Sequence, residues 1–86
     1  MDKGLIWMAY SANFPLSALQ NGQQARVAAL HLTGGMRRRV QDLGLVTGTR
    51  VTCVRRALSG DPIAYRIRGA VIALRRCDAN LIEVQP

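Results

Sequence analysis

Aromatic residues are scarce in this 86-residue chain, with one Trp, two Tyr and one Phe, and Trp7, Tyr10 and Phe14 all precede residue 15. The core must therefore be filled by Val, Leu and Ile. Histidine occurs once, as His31, with no Asp or Glu within ten residues on either side. The five carboxylates Asp2, Asp42, Asp61, Asp78 and Glu83 are scattered along the chain. Catalysis needs a nucleophile, a base or a metal in convergent geometry, and no such set is visible. Cys53 and Cys77 show no CxxC spacing, and together with one histidine they cannot close a four-ligand zinc site. Gly34-Gly35 stands before a helical stretch, but neither GxGxxG nor GxxxxGK[ST] is present. The expectation is a protein that is not an enzyme and requires no cofactor.

Two cysteines are too few for the disulfide framework of a small secreted domain. Both lie in apolar or strand-like surroundings, so both are expected as reduced, buried thiols of a cytoplasmic protein. The N-terminal run Gly4-Leu5-Ile6-Trp7-Met8-Ala9 is barely as long as a signal peptide's apolar segment, and Asp2 cancels Lys3. Met8 is an alternative start. No run approaches the roughly 20 apolar residues of a transmembrane helix.

What is present is positive charge. Eleven Arg and one Lys against five acids give +7. Such a field favours an acidic partner: nucleic acid, an acidic protein face or anionic lipid. A simple solvated basic surface is the plain alternative. Arginine offers a planar fork suited to carboxylate or phosphate. Arg37-Arg38-Arg39, Arg55-Arg56 and Arg75-Arg76 are the clusters. Small nucleic-acid binders add stacking aromatics to the sheet, whereas Tyr65 shares a strand face with Ile63 and Ile67 and is expected in the core. That pattern weakens the nucleic-acid reading.

Chain length allows one domain. Ser17 is placed to cap a turn over residues 18–20, and Asn21-Gly22 turns the chain. Residues 25–32 alternate loosely as a first strand. Met36, Val40 and Leu43 fall at i, i+4 and i+7 on one face of a short helix over about 36–43, ended by Gly44. Strands are expected over 50–57, 63–68, 71–74 and 81–84, with Val51, Cys53 and Ala57 sharing a face of the first. Asp61-Pro62 marks a turn, and Asp78 is placed to cap a short helical turn over 77–80. The expectation is a mostly β fold: a small barrel of about five strands with one helical insertion, closed so as to leave no edge. Residues 16–86 form the barrel, and 1–15 an extension that is flexible or an oligomer contact.

The ordered set Arg38-Arg39-Val40-Gln41-Asp42-Leu43-Gly44-Leu45, Gly48-Thr49, Gly60-Asp61-Pro62, Arg68-Gly69, Ala73-Leu74-Arg75 and Ala79 to Val84 resembles the FeoA family over about residues 16–85. Thr47 departs from the proline often found before the aligned glycine. The resemblance implies an SH3-like barrel with a helical insertion. It also implies an accessory role in bacterial ferrous iron transport, through the cytosolic GTPase domain of the FeoB transporter. The same fold accompanies metal-dependent repressors, so a nucleic-acid-binding or transcriptional regulatory module is the alternative. The contacts expected with a protein partner are Arg37, Arg38 and Leu45 on the helix side, and Arg55, Arg56 and Asp61 at the connection over residues 55–62. A metal such as Fe(II) would bind weakly at most, with His31 an adventitious ligand. Self-association through strand edges or the N-terminal arm is a further expectation.

Overall fold

A computed structural model describes residues 12–86. The extension's leader-like stretch and its contact role fall largely on residues 1–11, outside the described residues. Six strands form one antiparallel sheet: β1 Phe14–Pro15, β2 Gln24–Leu30, β3 Arg50–Arg56, β4 Ile63–Ile67, β5 Ala70–Leu74 and β6 Ile82–Gln85. Their order is β1-β6-β2-β3-β4-β5. A 3₁₀ turn spans Leu16–Ala18, helix α1 spans Gly34–Asp42, and helix α2 spans Arg76–Ala79. The additional sixth strand is the two-residue β1, too short to give a period-2 signal.

Strands β2 to β6 each turn one face inward. Ala25, Val27, Val51, Cys53, Ile63, Tyr65, Ile67, Leu74, Ile82 and Val84 all belong to one core. With no second sheet to cover that face among the described residues, the sheet curls around its own apolar side. Tyr65 is fully buried, and its hydroxyl donates to the Leu16 carbonyl at 3.3 Å. The expected edge-free closure is not met, because β1 and β5 end the ladder and no pairing among the described residues joins them.

Two bulges shift the strand phase. Val27 pairs with Val84 but Ala29 with Glu83, which turns Leu30 inward opposite Ile82. Cys53 pairs with Tyr65 but Arg55 with Ala64, so Arg56 rather than Arg55 lies opposite the buried Ile63. Ala57 is accordingly past the strand end and exposed, not on the Val51 face.

Local capping also differs from expectation. Pro15, not Ser17, precedes the 3₁₀ turn, and the buried Ser17 hydroxyl donates to the Asn80 side chain. Asp78 lies inside α2 and makes no cap bond; instead Asp61 reaches across to accept the Arg76 backbone N–H at 2.9 Å. Arg68-Gly69 connects β4 to β5 with both φ values positive, 51° and 82°, flanked by the pair Ile67 and Ala70. This is the sign pattern of a two-residue primed hairpin loop.

Candidate interaction surface

Helix α1 ends in a Schellman arrangement. The Gly44 N–H donates to the Gln41 carbonyl at 3.0 Å and the Leu45 N–H to the Val40 carbonyl at 2.9 Å, with Gly44 at φ 103°. The motif carries the chain inward, so Leu45 is fully buried while Leu43 stays 42% exposed. Leu45 therefore belongs to the core and cannot touch a partner; the expectation that it does is corrected. Met36 is half-buried and Val40 buried, as expected of the inward helix face, whereas Leu43 at its end opens to solvent.

The arginines divide into two groups. Arg37 Nη1 donates to the carbonyls of Leu30 at 2.5 Å and Leu32 at 3.4 Å, tying α1 to the end of β2. Arg56 Nη2 donates to the carbonyls of Ser17 at 2.5 Å and Leu19 at 2.7 Å, tying β3 to the 3₁₀ turn. Both are half-buried and their guanidinium groups are committed to backbone. Arg26 reaches the Gly48 carbonyl and Arg50 the Gln24 side chain, each at 3.3 Å. Arg38, Arg39, Arg55, Arg66, Arg68, Arg75 and Arg76 are exposed, and among the described residues no arginine forms an ion pair. Of the six expected contacts, Arg38 and Arg55 are exposed and unpaired among the described residues, Arg37 and Arg56 are held internally, Leu45 is buried and Asp61 caps α2.

His31 is not isolated, despite its sequence surroundings. Its Nε2 lies 3.0 Å from Glu83 Oε1, and Asn13 Nδ2 donates to Glu83 Oε2 at 2.6 Å. These hydrogen bonds, Asn13 first, hold the Glu83 carboxyl below the usual glutamate range. No group of three or more His, Cys, Asp or Glu side chains gathers among the described residues. Cys53 is buried, and burial pushes its thiol up, partly offset by Arg56; Cys77 is exposed, contrary to expectation.

One concavity was not anticipated. Between α1 and β5 runs a groove lined by Met36, Val40 and Leu43 on one side and Ile72 and Leu74 on the other, with Arg39, Arg75 and Asp78 at its margins. The helical spacing placed Met36, Arg39, Val40 and Leu43 together, so half of this groove was legible. Its other wall depends on β5 being a sheet edge, which no local pattern reveals.

A model described as the FeoA domain matches residues 14–86. The chain belongs to the FeoA family. Over 70 residues, 81% of its length, this FeoA-family chain is 40% identical to the Fe(2+) transport protein A/Fe(2+) transporter FeoB fusion protein of Porphyromonas gingivalis, and the match spans 8% of that protein. It resembles the solution structure of FeoA from Chlorobium tepidum with a TM-score of 0.81 and 38% identity, covering 84% of this chain and 69% of that one. It also resembles the zinc complex of Stenotrophomonas maltophilia FeoA, described as a prokaryotic SH3 domain protein. There the TM-score is 0.74 and the identity 28%, covering 84% and 89% of the two chains. The SH3-like fold expected from the sequence is thus the fold observed. No helix among the described residues is long and apolar enough to cross a membrane.

Proposed function

We propose that this FeoA-family chain is a non-enzymatic, cytoplasmic accessory protein of bacterial ferrous iron uptake, acting by binding the cytosolic GTPase domain of a FeoB transporter. The observation that carries this reading is the Porphyromonas gingivalis relative, a fusion protein that joins transport protein A to FeoB in one polypeptide. Covalent fusion raises the effective concentration of two modules that work at one place. The unpaired arginines, Arg38 and Arg55 among them, suit a partner with an acidic face and would speed and orient its encounter. A divalent cation at His31 and Glu83 would meet two donors, fewer than a resident site uses, so Fe(II) enters this reading as cargo of the transporter and not as a cofactor.

The test is a titration of the chain with the soluble GTPase domain of the transporter from the same organism, read by anisotropy and by the rate of GTP turnover. Saturable binding at low ionic strength that weakens with salt is expected. A null titration at low ionic strength would end the reading.

A further inference from the structure

Strand β5 pairs with β4 along its whole length, from Ile63 opposite Leu74 to Ile67 opposite Ala70. No strand among the described residues pairs with its other side. Among the described residues, the alternate backbone N–H and C=O groups on that side have no partner and can accept another strand. Sheet edges are commonly protected by charge, proline or a covering element, yet β5 reads Ala-Val-Ile-Ala-Leu, and its Val71 is 54% exposed.

Alongside this edge lies the groove against α1. It is lined by apolar side chains, Met36, Leu43 and Ile72 among them, together with Arg39 and Arg75, which have no carboxylate in ion-pair range among the described residues. Asp78 is the one acid lining it. An open strand edge beside a helix, with apolar walls and cationic margins, matches the requirements for strand addition: backbone bonds supply affinity and alternate side chains enter the groove.

We propose that this groove takes an extended, acidic peptide segment of a partner protein, added as a further strand on β5. Its alternate apolar side chains pack against Met36, Leu43 and Ile72, and its carboxylates meet Arg39 and Arg75. A second copy of this chain fits less well, because edge-to-edge pairing of two β5 strands brings the basic residues around the two edges together. Nucleic acid also fits less well, since the walls are aliphatic and offer no stacking surface. The groove's chemistry selects the peptide whichever protein carries it, so the proposal goes beyond the transporter reading and fails or stands separately from it.

The probe is a blocked peptide of about eight residues, enough to exceed a typical strand, alternating Glu with Val and Leu. It is titrated into the isotope-labelled full chain and followed by amide NMR. Shifts and slowed amide exchange are expected over residues 70–75 and 36–43. The double variant Arg39→Glu, Arg75→Glu should weaken binding about tenfold or more, as expected of lost charge complementarity. Leu43→Asp should weaken it while keeping a dispersed spectrum, since Leu43 is 42% exposed. A peptide with Lys in place of Glu should not bind. The proposal is overturned by shifts centred elsewhere, by no binding, by equal binding of the Lys peptide, or by undiminished binding to the double variant. It is also overturned if short duplex DNA gives the same shifts, or if the chain dimerises through β5 without peptide.

Discussion

The Leu45 N–H donates to the Val40 carbonyl at 2.9 Å, and both side chains are fully buried. This one contact ends α1, returns the chain to the barrel and leaves Leu43 outside at the groove. It requires Gly44 at φ 103°, where an added Cβ would also come within 3.0 Å of Arg68 Cδ. The side-chain atom can give way; the backbone conformation cannot. Gly44→Ala is therefore expected to cost about 1–2 kcal/mol. Thermal unfolding checks it, with roughly 4–8 °C lost per kcal/mol in a domain this small.

The two leucines flanking Gly44 should separate cleanly. Leu45→Ala empties a fully buried site and should cost about 2–5 kcal/mol. Leu43→Ala acts at a 42% exposed site and should stay well below that in chemical denaturation. Similar losses at both positions would contradict the burial described.

Neighbouring arginines should separate as well. Arg56→Ala removes a charged donor from the Ser17 and Leu19 carbonyls and should cost on the order of 1.5–3 kcal/mol. Arg55→Ala, at an exposed outward position, should change stability by less than about 0.5 kcal/mol. Urea unfolding of the two variants decides this.

Acid should expose the role of Glu83. Its folded pKa is lowered, first by Asn13 and then by His31, so its contribution is present above the unfolded value of about 4.3. The contribution fades as pH falls through the folded value. Glu83→Gln should be less stable than the parent at neutral pH, and the difference should shrink on acidification below about pH 4. A difference that grows on acidification would reverse the assignment.

The two thiols should differ in reactivity. Cys77 is exposed and should react with a thiol reagent in the native chain. Cys53, buried and with its thiol pushed up, should react only after unfolding. One equivalent of reagent consumed natively and two in denaturant is the expected count under reducing preparation.

Much of the architecture is written in local pattern. Ile63, Tyr65 and Ile67 alternate, and all three are buried; Val51 and Cys53 do the same. The family resemblance, carried by short ordered motifs, agrees with the match over residues 14–86. The site was less legible. Reading residues 50–57 as one uninterrupted alternation misses the bulge that turns Arg56 inward, because a bulge is a relation between two strands. His31 looked unpartnered because Glu83 lies fifty-two residues away and meets it only through the pairing of β2 with β6.

Sequence alone determined the strand faces and the arginine-rich helix with its glycine stop, since these depend on residue type and short-range spacing. Among the described residues, tertiary structure decided which arginines are unpaired, which leucine beside Gly44 is buried, and that β5 is an edge beside a groove. Those outcomes depend on strand order and on which backbone carbonyls lie within reach of a guanidinium. Both are set by contacts between residues far apart in the chain, which local periodicity does not encode.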